Sequence, residues 1–145
     1  MFNQDQACLD LARSAAQLCD TPIALVSLKV EDRQWFQTRV GLDAKEIPSR
    51  ESFCECAMQF CDEVLVVEDA KTDPRFADNA LVTGPLGIRF YAGAPLVTSK
   101  KGVLGNLCVL DVKPKKMNPE QLEMLAFLSK QVAIILEEKL DSLPA

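Results

Sequence analysis

Hydrophobic positions recur along the chain with two periods, one of strands and one of helices. From Ile88 to Asp111 the run IRFYAGAPLVT, a polar turn SKKG and the run VLGNLCVLD read as two strands joined by a short Gly-bearing loop, a β-hairpin. In the first strand Ile88, Phe90, Ala92, Ala94 and Leu96 fall on one face and Arg89, Tyr91, Gly93, Pro95 and Val97 on the other, because successive strand side chains point to opposite sides. In the second, Leu104, Cys108 and Leu110 oppose Val103, Leu107 and Val109, so this strand is apolar on both faces. Such a strand belongs inside a sheet that is covered on both sides. The hairpin is therefore expected at the centre of the sheet. Gly93 and Gly105 leave gaps in it that suit close packing or a pocket.

The flanking pattern completes the element order. Cys8, Leu11, Ala12, Ala15, Leu18 and Cys19 recur at helical spacing and predict a helix over Asn3–Cys19, capped by Asn3 and stopped at Asp20-Thr21-Pro22. Its narrow, Ala-rich stripe suits either close core packing or a dimer interface. Ile23–Val30 and Arg33–Val40 read as a second hairpin across Glu31-Asp32, its outer strand protected from edge pairing by Arg33 and Arg39. Gly41–Ser49 reads as a loop. In Glu51–Phe60 the residues Phe53, Cys56, Ala57 and Phe60 share a helical face, either a lid over the core or the lining of a cavity. Glu63–Val67 is a third short strand, Glu68–Asn79 is polar and turn-rich with Asp73-Pro74 as a turn start, and Ala80–Gly87 is a short connection punctuated by Gly and Pro; together they give about twenty residues of irregular chain. An irregular segment of that length in a compact domain is more often a functional cap than filler.

A strong start signal opens the last helix, with Asn118 as N-cap, Pro119 at the first helical position, Glu120 in the first turn and Gln121 at the third position. Over Pro119–Leu140 it carries two apolar faces, Leu125/Leu128/Val132/Ile135 and Leu122/Ala126/Ala133/Leu136/Leu140. One must cover the sheet. The other suits a second copy of the chain or wraps the core edge. Five strands joined mainly as hairpins, with helices apart, give an α+β fold with an antiparallel sheet, read as a single domain over residues 1–145.

Composition narrows the chemistry. The chain has 145 residues, 48% apolar and 26% charged, with a formal net charge of −5. Its largest basic clusters are the pairs Lys100-Lys101 and Lys115-Lys116, so nucleic acid is not an expected partner. No apolar run nears the roughly 18 residues of a membrane span, and the N-terminus lacks the pattern of a secretory signal. A cytoplasmic location is the expectation. There is no histidine, which removes Ser-His and Cys-His nucleophile systems and His-ligated zinc or haem within this chain. The six cysteines form no C-x-x-C pair and are expected as buried, reduced thiols. A redox or metal role for Cys54, Cys56 and Cys61 is the alternative.

No phosphate loop, dinucleotide fingerprint or zinc-protease motif occurs, and no group of residues assembles a nucleophile, a base and an oxyanion site. A non-catalytic role is the expectation. What remains is a pocket: Phe53, Cys54, Val67, Asp69, Arg75, Phe76, Phe90 and Tyr91 sit at the ends or covers of the central strands. Apolar walls with a few polar groups describe small-molecule sites. Arg75 could grip an anionic ligand, or pair with Asp73 or Asp78.

The succession PIALVSLKVEDRQWFQTRVGL, SRESFCECA, DPRFADNALVTG, IRFYAGAPL and LGNLCVLD closely resembles bacterial GAF domains, over about residues 5–140. The resemblance implies a PAS-like fold: a sheet with strand order 2-1-5-4-3, terminal helices on one face and a ligand cavity under a cap on the other. Members of the family sense cyclic nucleotides, bilins, haem or other small molecules and regulate linked kinases, cyclases or phosphodiesterases. By that likeness the chain is a stand-alone sensor, or the input part of a longer signalling protein, dimerising through its terminal helices. The sequence names no cofactor. Asn79 is followed by Ala80, where the cyclic-GMP signature continues with lysine. Similar GAF sequences carry histidine where Cys56 stands, a departure that argues against His-dependent ligand binding and singles out Cys56; Cys54 and Cys56 are both counted among the candidate ligand-binding residues. A family branch reduces free methionine sulfoxide with cysteines, but the motif around its cysteines differs from this segment.

Overall fold

The computed structural model describes residues 6–30, 33–41, 46–48, 64–74, 76–78, 80–84, 87–98 and 102–141. Along the chain these form α1 (Gln6–Cys19), β1 (Ile23–Val30), β2 (Arg33–Val40), β3 (Glu46–Pro48), β4 (Leu65–Val67), α2 (Ala80–Thr83), β5 (Phe90–Thr98), β6 (Gly102–Asp111) and α3 (Pro119–Asp141). The strands pair antiparallel in the order β3-β2-β1-β6-β5-β4. Without β3 this is the expected five-strand order. β3 corrects the loop expected over Gly41–Ser49: three residues pair with the outer side of β2, from Arg33↔Pro48 to Trp35↔Glu46. An open edge is a ready template for a short extra strand, and proline is tolerated there. α2 likewise replaces part of the irregular connection expected over Ala80–Gly87 with one helical turn. The expected lid helix Glu51–Phe60 lies outside the described residues.

β6 occupies the central place its two-sided apolar pattern demands. Leu107 and Val109 face α1 and α3, while Cys108 and Leu110 face the other way, and all four are buried. Two departures from simple alternation have a local cause. The β5–β6 register steps from Leu96↔Gly105 to Val97↔Val103, which leaves Leu104 as an extra residue. A bulge of this kind reverses the facing of the residues beyond it. Leu104, expected beside Cys108, therefore packs on the helix face. Ile88, expected beside Phe90, lies on the opposite face because β5 begins only at Phe90 and alternation does not extend before it.

On the helix face, α1 presents Cys8, Ala12, Ala15, Ala16 and Cys19. These small side chains let its backbone lie close to the sheet and α3. α3 buries Leu125, Leu128, Val132, Ala133 and Leu136. The two faces expected of this helix thus merge into one broad arc, because α3 packs on the sheet and on α1 together. The apolar residues left outside are others: Met124, Phe127 and Ile134, 39%, 52% and 52% exposed.

The helix ends are locked to each other. α1 closes with Thr21 N–H on Ala16 O (2.9 Å) and Asp20 N–H on Gln17 O (3.3 Å), a Schellman motif. Asp20 holds the left-handed position at φ 53°, where glycine is usual. α3 opens with a reciprocal capping box: Gln121 N–H donates to Asn118 Oδ1 (2.8 Å) and Asn118 N–H to Gln121 Oε1 (3.0 Å). The other half of the Gln121 amide donates to Leu18 O at 2.9 Å, satisfying one of the terminal carbonyls of α1.

Gly105 tests the closeness of the central strands. A Cβ there would strike the Ser27 carbonyl oxygen on β1. Gly105→Ala is expected to lower unfolding free energy by about 3 kcal/mol, since backbone must shift to admit it. Gly102→Ala meets open space and only a φ of +69°, so about 1 kcal/mol is expected. Urea unfolding of both variants checks the difference; equal effects would reject the close packing.

Candidate functional site

The sheet face away from α1 and α3 is crossed by three rows of residues, fixed by register. The first is Ile23–Leu110–Tyr91–Val67, the second Leu25–Cys108–Gly93–Leu65, the third Ser27–Asn106–Pro95. Polarity rises from row to row. The first row is apolar apart from the far end of Tyr91, and with Leu25 and Cys108 it is closed over by Ala70, Phe76, Val82 and Ile88. Tyr91 lies along its own strand, for a Cβ on Gly93 would strike the Tyr91 hydroxyl. That hydroxyl therefore reaches the second row, over Gly93. In the third row Ser27 and Asn106, partners across β1 and β6, are both fully buried.

The covering chain is tied down at defined points. The Ala70 N–H donates to Arg89 O, and Arg89 N–H donates to Asp111 O at 2.9 Å. The Arg89 guanidinium donates to Val82 O (3.1 Å) and Ile88 O (3.0 Å), holding the end of α2 against the start of β5. Phe76 and Ala77 N–H groups both donate to Asp73 O, at 3.0 and 2.9 Å, which turns Phe76 into the cluster.

Val67, Phe76 and Tyr91 of the expected site residues come together here, at most 4% exposed. Phe90 does not join them: as the neighbour of Tyr91 it faces α1 and α3. Asp69 accepts the Lys71 N–H on Oδ1 at 3.1 Å, shaping a turn of the cover. Phe53, Cys54, Cys56 and Arg75 lie outside the described residues. Ser27, Asn106 and Arg89 were not singled out in the sequence. For the first two the signal was there: a lone polar residue at a face-sharing position within an otherwise apolar strand.

This face thus grades from a closed, apolar end at the first row and at Leu25 and Cys108 to a buried polar end at Ser27 and Asn106. The described cysteines, Cys8, Cys19 and Cys108, are buried thiols outside any disulfide. Burial pushes the Cys19 thiol from 9.0 up to about 11, with nearby Lys115 pulling the other way, so this thiol is a poor nucleophile at neutral pH. Among the described residues no group of three or more Cys, Asp or Glu could hold a metal ion. No described helix is long and apolar enough to cross a membrane.

The family model of the GAF domain matches residues 3–136. A cyclic di-GMP phosphodiesterase of Pseudomonas aeruginosa is 45% identical over 111 residues, 77% of this chain and 19% of that protein. The chain thus spans about a fifth of the length of that relative. Among solved structures, the GAF domain of an Acinetobacter phosphoenolpyruvate-protein phosphotransferase superposes with TM-score 0.70 at 18% identity, covering 90% of this chain and 80% of that one. Free methionine-R-sulfoxide reductase from Neisseria meningitidis, in complex with its substrate, gives TM-score 0.70 at 19% identity, covering 95% and 82%. At such identities the structures share the fold.

The raised Cys19 pKa fixes a pH dependence. The folded state keeps this proton while the unfolded state loses it, so the contribution is fully present below about pH 9 and is lost as pH rises toward 11. Stability is expected to fall by about 2–3 kcal/mol across that window relative to Cys19→Ala. Urea midpoints of both proteins between pH 8 and 11 check this; parallel curves would refute it.

Proposed function

The chain belongs to the GAF domain family, and on that premise we propose that it is a non-catalytic, small-molecule-sensing module of a bacterial signal-transduction protein. The observation that carries this reading is the graded face of the sheet, apolar and sealed at Tyr91 and Val67, polar and buried at Ser27 and Asn106. Polar side chains deep in an otherwise apolar sheet face are the few polar groups by which a small-molecule site fixes its ligand's orientation. The phosphodiesterase relative supports a linked enzymatic output, since its matched part is 19% of its length. A linked kinase or cyclase fits the same scheme. Thiols outside any disulfide fit a reducing, cytoplasmic setting.

A homodimer through the terminal helices completes the reading. Met124, Phe127, Gln131 and Ile134 recur on α3 at the 3-4-3 spacing of a coiled-coil seam, and three of them are exposed apolar residues. The seam is flanked by exposed Glu123 and Lys130, seven residues apart at equivalent positions, where opposite charges of two copies can pair. The cysteine-based alternative, a redox sensor or a reductase like the Neisseria neighbour, rests on Cys54, Cys56 and Cys61, because the described thiols are buried.

Native mass spectrometry of the purified protein, beside its denatured mass, tests both parts. A retained mass lost on denaturation is expected, reduced at least tenfold in Asn106→Leu; thermal-shift screening with cyclic nucleotides and cyclic di-GMP covers a ligand that escapes during purification. A bare mass with no shift from any of them would reject the sensing reading. A mass of two chains is expected for the native protein and of one for Ile134→Glu. Sedimentation showing single chains alone at high concentration would reject the dimer.

A further inference from the structure

Polar contacts form an unbroken run from the cover of the candidate site, round the end of the sheet, to the terminal helices. It starts where the Arg89 guanidinium holds Val82 O at the end of α2. Arg89 N–H then donates to Asp111 O at 2.9 Å. The Asp111 carboxylate, 8% exposed, accepts the N–H groups of Val112 (2.7 Å) and Lys113 (3.3 Å) on Oδ1 and meets Lys115 Nζ at 3.6 Å on Oδ2. Lys115 closes the circuit twice. Its N–H donates to Glu68 O at 3.1 Å, back in the cover, and its Nζ lies 3.8 Å from Asp20 Oδ2 at the end of α1. Asp20 is the non-glycine residue held at φ 53°. Two residues earlier lies Leu18, whose carbonyl ties α1 to the start of α3 through Gln121.

We infer that the Arg89–Asp111–Lys115 run is the device by which a displacement of the cover is passed to the junction of α1 and α3. The inference rests on the sensory reading above and supplies its regulation. Three features carry it. The run is contiguous, and its links join elements far apart in sequence. Lys115 touches the cover by its backbone and α1 by its side chain, at an Asp20 carboxylate that is 98% exposed, so one residue links the two layers. And α1 ends on a left-handed aspartate at φ 53°, a position that glycine holds more readily, so the last turn of α1 is the place where the helix layer has a second arrangement to hand. A physical path of this sort becomes coupling only if the two ends respond together.

Cys19 and Cys8 provide the readout, since both are buried on α1, one at the junction and one near the opposite end. Val82→Ala loosens the cover without touching the helix layer; Phe76→Leu is a second, independent loosening. Iodoacetamide labelling of the folded protein, resolved by peptide mass spectrometry, is expected to speed up at Cys19 about tenfold relative to Cys8 in either variant. Cutting the run with Lys115→Met, or with Asp111→Asn, which keeps the Oδ1 acceptor and removes the charge, is expected to abolish that selective increase, each combined variant being compared with its own cut alone because Lys115 also acts directly on the Cys19 thiol. Equal acceleration of Cys8 and Cys19 would mean general loosening and overturn the inference. So would a Cys19 response that survives both cuts. No ligand enters the test: absence of a bound ligand leaves this labelling pattern intact, while a severed run leaves ligand retention intact.

Discussion

The fold depends on one strand that tolerates water on neither side. β6 places Leu107 and Val109 toward the helices and Cys108 and Leu110 toward the cover, all at most 4% exposed. Full burial of a leucine or valine contributes about 1.5–3 kcal/mol, so leaving either face of β6 open would forfeit several such contributions at once. Both layers follow from that. α1 and α3 are needed on one side, and a second covering on the other. Among the described residues the second covering is turn-rich chain anchored on the sheet by Ala70, Phe76, Val82 and Ile88. A sheet with such a strand at its centre needs both covers.

Hairpins and helix ends were legible in the sequence because their signals are local. The Asn118–Gln121 capping box and the strand pair on either side of Ser99–Gly102 depend on neighbours within a few positions. The errors came where a non-local count intervened. One extra residue at Leu104 reversed a face, and the late start of β5 sent Ile88 to the other side. The second apolar stripe of α3 was misplaced for a related reason: how wide an arc a helix buries depends on what packs against it, and α3 meets both the sheet and α1. Met124, Phe127 and Ile134 are outside only because that arc turned away from them.

The candidate site was half legible. Alternation separates Tyr91 from Phe90, and following it strictly would have dropped Phe90 from the site. It would also have led from Cys108 to Asn106, and across the register to Ser27. Arg89 was beyond reach of pattern, because its role is set by two carbonyls, Val82 and Ile88, that only the folded turn brings to it.

The strength of the polar run suits transmission better than clamping. A net hydrogen bond contributes about 0.5–1.5 kcal/mol, and an ion pair with an exposed partner, such as Lys115 with Asp20, about 0–1. Coupling between sites is typically about 1–3 kcal/mol. Two or three contacts of this size, made in one arrangement of the cover and broken in another, reach that range. A tightly paired, fully buried charge network would exceed it, since breaking one partner of such a pair costs about 3–5 kcal/mol, and the cover would then be fixed. Asp111 is buried but Lys115 keeps about a quarter of its side chain in solvent. The junction is thus held firmly on the side of the sheet and loosely on the side of α1, so a moving cover disturbs the end of the helix before it disturbs the end of the strand.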